Sequence, residues 1–140
     1  MKIMLQKGFT LVELLITIAI IGILAATVIR SLSTARDEGI VAKIKLEMAG
    51  ITSRAITENT LYFSYDTVCG SNGATQSPEI IAIIDSINAM ASSSVVCNSD
   101  VAAYAASVPV GSVHWCVDSL GEKKEIPDPL ETSPAELACP

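Results

Sequence analysis

The strongest constraint on this chain is a run of 21 residues, Phe9 to Ile29, in which Glu13 is the only charged group. As an α-helix rising about 1.5 Å per residue it would span roughly 31 Å, the hydrocarbon thickness of a bilayer. The residues ahead of it carry Lys2 and Lys7 and no acid. The positive-inside tendency therefore predicts Met1 to Gly8 in the cytoplasm and everything after Arg30 on the other side. Glu13 is the anomaly. A carboxylate at mid-membrane costs on the order of 3 kcal/mol, less near an end of the span, so this one calls for a partner.

Two generic readings compete here. A cleaved secretory signal would use the two lysines, the apolar run and a cut near Leu24-Ala25-Ala26, but Glu13 sits badly in its apolar core. A plain single-pass anchor explains neither Glu13 nor the Gly8-Phe9 junction. Lys7-Gly8-Phe9-Thr10-Leu11-Val12-Glu13, followed by a mostly aliphatic run with Gly22, resembles the class III-type prepilin N-terminus of type IV pilins and pseudopilins. The resemblance covers Lys7 to Ile29 closely and the rest only in general plan. It implies a prepilin peptidase cut between Gly8 and Phe9, N-methylation of the new Phe9 terminus, and Glu13 as the fifth mature residue. Where many pilins carry a proline this chain has Arg30, so a kink there is not carried over.

The domain plan that follows is a cleaved leader at 1–8, a transmembrane and filament-core helix at 9–29, and an extended helix with a globular head at 30–140. The expected fold is α+β and pilin-like: a long N-terminal helix under a small disulfide-bonded head with a second helix and a short antiparallel sheet. At 140 residues the chain holds one such head and no second core. From Arg30 to about Asn59 no proline intervenes, and Val41, Ile44, Met48, Ile51 and Ala55 recur every three or four residues, an amphipathic stripe. Leu61 to Gly73 reads as a loop anchored by Leu61, Tyr62, Phe63 and Tyr65. Ser77-Pro78-Glu79 opens the second helix, with Ser77 as N-cap and Ile80, Ile81, Ile83, Ile84, Ile87 and Met90 on its buried face. Ala102 to Val110 and Val113 to Leu120 flank Gly111-Ser112 as a hairpin, and Lys123 to Ile126 makes a third strand. Pro127, Pro129 and Pro134 forbid regular structure in most of the tail.

Cys69, Cys97, Cys116 and Cys139 all follow the span, an even set that suggests two disulfides in an oxidising compartment. Spacing alone allows three pairings. Sequential bridges, Cys69 with Cys97 and Cys116 with Cys139, are preferred because they close short loops, each stabilising by about 3 kcal/mol. The second would tie down the tail, as the C-terminal disulfide loop does in many pilins.

The net charge is −6, and from Thr57 onward acids heavily outnumber Lys123 and Lys124. Such a surface repels phosphates, so direct nucleic-acid binding is not expected. No catalytic residue, metal site or cofactor is expected. His114 is the only histidine, and no Cys-x-x-Cys, Gly-x-Ser-x-Gly or phosphate-cradling loop occurs. Asp118, Glu122, Glu125 and Asp128 could gather around calcium, as in some secretion pseudopilins, but they match no EF-hand loop and read as a solvated acidic turn.

The functional expectation is a non-enzymatic structural subunit of a type IV pilus or related filament. Its partners are copies of itself in a helical homopolymer, the prepilin peptidase, the assembly platform and the membrane. It is first a single-pass membrane protein with its head outside the cytoplasm, then part of an extracellular pilus. Alternatives are a minor pilin or type II secretion pseudopilin and, from another class, a membrane-anchored ligand-binding domain that never polymerises. Glu13 and the Phe9 ammonium are the expected assembly pair.

Overall fold

In the computed structural model, which describes residues 8–140, the apolar span and the amphipathic stripe fall in one helix, α1 (Leu11–Tyr62). The expected leader residues Met1 to Lys7 lie outside the described residues. The chain divides into two compact units, Met1–Glu38 and Gly39–Pro140. In the first, the helix runs unbroken through Arg30, and every residue from Gly8 to Glu38 is exposed.

The second unit forms around the stripe. Ile44, Met48, Ile51 and Ala55 are buried, and Val41 is half-buried beside them. Spacings of four, three and four keep them on one helical face, which is what the 3.6-residue repeat requires. Against them pack Val68 of α2 (Asp66–Cys69) and Ile80 and Ile87 of α3 (Pro78–Asn88).

The sheet completes this core. β1 (Val96–Ser99), β2 (Tyr104–Val110), β3 (Val113–Asp118) and β4 (Lys123–Ile126) lie in sequence order, each antiparallel to its neighbour. Side chains alternate between the faces of a strand. Tyr104, Ala106, Val108 and Val110 of β2 accordingly join the α1 core with Val117, whereas Ala105 belongs to a second buried cluster with Cys116, Ile126, Leu130 and Cys139. Gly111, at φ 73°, begins the two-residue turn between Val110 and Val113, a left-handed position where a Cβ would be strained.

The second cluster exists because the tail folds back over the sheet, and a proline-rich tail needs other means of satisfying its backbone. Side chains of the sheet supply them. Buried Asn98 donates to the carbonyls of Glu131 and Glu136 at 2.7 and 3.0 Å, and Ser107 Oγ accepts from the Leu130 amide at 3.2 Å. Asp118 Oδ2 accepts from the Cys139 amide at 2.9 Å.

The architecture is α+β as expected, but several local expectations fail. The 61–73 segment is not a plain loop. α1 continues to Tyr62, and α2 forms within the segment, closed by Gly70 in the left-handed conformation at φ 78°. Of the four residues expected to anchor it, Leu61, Tyr62 and Phe63 are exposed, and only Tyr65 packs, 5.3 Å from the Tyr104 ring. Ser77 precedes α3, but its hydroxyl donates to Glu79 Oε2 at 2.9 Å instead of capping a backbone amide. On α3, Ile81 is exposed, because α3 has the core on one side alone; Ile83, Ile84 and, just beyond the helix, Met90 pack against the core as expected, though only partly buried. The hairpin strands are shorter than expected, starting at Tyr104 and ending at Asp118. β1 was not expected at all: a four-residue strand between Ser92-Ser93-Ser94 and Asp100 is too short to show alternation.

Candidate functional site

The first turn of α1 holds the residues that the sequence singles out. Gly8 and Phe9 precede the helix, both exposed. Thr10 and Glu13 then form a reciprocal cap. The Glu13 amide donates to Thr10 Oγ1 at 3.2 Å, while Glu13 Oε2 accepts from the Thr10 amide at 2.9 Å and from its hydroxyl at 2.7 Å. Thr-x-x-Glu ahead of an apolar run is the capping-box pattern, in which a hydroxyl and a carboxylate together satisfy amides that the first helical turn leaves free. The four residues were legible for this role in the sequence, where Glu13 drew attention only as a charge. Glu13 Oε1 has no partner among the described residues.

Beyond the cap, from Leu14 to Ile29, the helix surface is almost purely aliphatic. Its hydroxyls are used internally: Thr17 Oγ1 donates to the Leu14 carbonyl at 2.7 Å and Thr27 Oγ1 to the Leu24 carbonyl at 2.8 Å. What remains facing outward is Leu11, Leu15, Ile18, Ile21, Leu24, Val28 and their neighbours. By length and composition, with a mean hydropathy of 2.6 over its most apolar window, α1 is able to cross a membrane.

The cysteines pair as Cys69–Cys97 and Cys116–Cys139, with Cα separations of 5.5 and 5.9 Å. The two bridges serve opposite faces of the sheet. Cys97 packs against the α1 core and joins β1 to α2, whereas Cys116 and Cys139 belong to the tail cluster.

The four acids considered for calcium do not come together. Among the described residues no group of three or more ligand-type side chains has metal-binding spacing. Asp118 is buried, not part of a solvated turn: Oδ1 accepts from the amides of Leu120 and Glu122 at 2.9 and 3.0 Å, and Oδ2 holds Cys139. Glu125 pairs instead with Lys45 of α1 at 2.9 Å, and the same ammonium lies 4.3 Å from the Trp115 ring centre. His114 is half-buried on β3, and its Nδ1 has no hydrogen-bond partner among the described residues.

A third charged centre was not anticipated. Glu58 continues the core stripe one turn beyond Ala55 and is only 3% exposed. It is held by Arg54 Nε at 3.0 Å and Thr67 Oγ1 at 3.0 Å. The sequence signal was available in the i, i+4 spacing of Arg54 and Glu58, but that spacing describes solvated helix pairs equally well.

Compared with known proteins, residues 3–29 match the family model described as the prokaryotic N-terminal methylation motif. No curated protein and no solved structure matches the chain. The motif implies processing by a prepilin peptidase and association with a membrane. Apolar capped helix, two-disulfide head and matched segment agree: this chain carries the class III prepilin signal of type IV pilins on a pilin-like α+β fold.

Proposed function

We propose that the chain is a structural subunit of a type IV pilus or related filament, which polymerises through its hydrophobic N-terminal helix after cleavage between Gly8 and Phe9. In this reading residues 1–8 are the leader, 9–29 the membrane span and later the filament core, and 30–140 the extended helix and exported head. The observation that carries it is the exposure of every residue from Leu14 to Ile29 on a helix whose side chains there are aliphatic or small apart from Thr17 and Thr27. Such a surface needs either lipid or like helices around it, and moving from one to the other changes its neighbours without exposing it to water.

The capping box refines the role of Glu13. Thr10 and Glu13 both follow the proposed cut, so the processed chain keeps the box. Oε2 is occupied by Thr10, which supports a division of labour in which Oε1 receives the Phe9 ammonium of a neighbouring subunit. In a core of low dielectric an unpaired charge is costly, so this pair would fix axial register while aliphatic burial supplies most of the affinity.

The test is Glu13→Leu, expressed as the only subunit. The variant inserts, is cut after Gly8 and forms both disulfides, yet yields few or no filaments by electron microscopy. Normal filament numbers from cleaved Glu13→Leu chains would remove the register role. Purified wild-type filaments in which this chain is only a trace component would point to a minor pilin or secretion pseudopilin.

A further inference from the structure

The buried Glu58 lies at the floor of a cleft of about 310 Å³ between the last turns of α1, α2 and the start of α3. A carboxylate at this place in the core stripe is a poor choice for stability, since an apolar side chain would avoid the desolvation of an ion pair. It is nevertheless built in with care. Arg54 binds Glu58 Oε1 through Nε and reaches across to Glu79 Oε2 at 3.1 Å, so a carboxylate–guanidinium–carboxylate string crosses the cleft. Thr67 fixes the other oxygen of Glu58. At the rim stand Tyr62, 62% exposed, and the exposed Thr75.

The chemistry of the string narrows what fits. One guanidinium between two carboxylates leaves a net negative charge, which disfavours anions. Arg54 Nη1 has no partner among the described residues, so donors remain free. The exposed Glu79 carboxylate keeps lone pairs beyond those in use, so acceptors are free beside them. The ring of Tyr62 adds an apolar surface with a polar tip. A ligand that meets all of this both donates and accepts hydrogen bonds at adjacent atoms, has an apolar face and carries no negative charge. The volume is at the small end of ligand clefts.

We propose that this cleft binds an uncharged hexopyranose unit of a carbohydrate, with the sugar hydroxyls on Arg54 and Glu79, the buried Glu58 holding Arg54 in place, and a ring face against Tyr62. The proposal is independent of filament assembly, because every residue in it belongs to the Gly39–Pro140 unit.

The experiment is an amide NMR titration of the full chain in a zwitterionic detergent without a sugar headgroup, using glucose, galactose, mannose and N-acetylglucosamine as probes and glucuronate as the charged comparison. At least one neutral sugar gives saturable shifts centred on Tyr62, Thr67 and Thr75. Tyr62→Ala weakens that binding by about tenfold, a loss of the size expected for one aromatic contact. Arg54→Lys, which keeps the charge but loses the planar fork, also weakens it. Phe63→Ala, at an exposed residue outside the cleft, leaves it unchanged. Unaltered shifts at core amides such as Met48 and Val108 show that each variant is folded. Absence of saturable shifts with every neutral probe overturns the proposal, as does equal binding of glucuronate or full binding by folded Tyr62→Ala.

Discussion

The two units of this chain are built from the same kinds of aliphatic residue and treat them in opposite ways. In the first, Ile16, Ile20 and Ile23 are exposed, and from Leu14 to Ile29 only Thr17 and Thr27 interrupt an otherwise apolar surface around the helix. In the second, Ile44 and Ile51 are buried, and Lys43, Lys45 and Glu47 occupy the other positions of the same helix. Local helix propensity does not distinguish the two segments. The difference lies in pattern: a stripe can be covered by one sheet and two short helices, whereas a surface apolar all round needs an apolar solvent or a ring of like helices.

The largest expected effect tests this contrast with one kind of substitution in two places. Ile51→Ala empties part of a closed core and should destabilise the head by about 2–5 kcal/mol. Ile20→Ala should leave head unfolding unchanged while reducing filament yield. Denaturant unfolding in detergent, followed by Trp115 fluorescence, measures the first, and electron microscopy the second. Equal loss of head stability from both would mean that the two segments do not have separate duties.

Within the head, the two sheet faces can be separated in the same way. Cys116→Ser with Cys139→Ser should cost about 3 kcal/mol in the chain-entropy description. It should also raise proteolysis after Asp128 while β1 and α2 stay protected. Asp118→Ala should release the same tail with its disulfide intact, because the buried Cys139 amide then loses its acceptor, at a cost of about 1–3 kcal/mol. Mass-mapped limited proteolysis distinguishes tail release from general unfolding.

A smaller effect is expected at the cap. Thr10→Ala keeps the apolar surface and the charge of Glu13 but removes the hydroxyl half of the box, so the amide of Glu13 should exchange hydrogen faster, with head stability unaltered. If exchange there is unchanged, the box does not hold the first turn.

The smallest effect is acidic and confined to the head. Desolvation of Asp66 opposes its ionisation, but hydrogen bonds from Ser71, Ser64 and Asn72 outweigh it and hold the carboxyl below its ordinary value of 3.8. A carboxyl lowered on folding contributes stability that is fully present above its unfolded value and is lost as pH falls through the folded one. The α2 turn should therefore loosen only below about pH 3.8. In Asp66→Asn this part of the acid dependence should disappear, as judged from the pH dependence of amide exchange in residues 66–71.

The sequence by itself determined the N-terminal half of the reading, because the apolar run and the prepilin signal are made of residues close together in the chain. Lys7 to Glu13 carry the prepilin pattern, and Thr10 with Glu13 forms the box from a spacing of three. The stripe Ile44-Met48-Ile51-Ala55 likewise follows from helical period alone. Tertiary structure decided what depends on distant partners. Spacing allowed three disulfide pairings and short loops favoured the sequential one; that pairing forms because the sheet brings Cys97 beside α2 and Cys116 beneath the returning tail. Asp118 reads as a surface acid until the tail covers it and offers it the Cys139 amide. Glu58 reads as half of a solvated helix pair until α2 and α3 close over it. Burial is a property of what else arrives at a site, and a charge in the sequence does not announce whether water or protein will surround it.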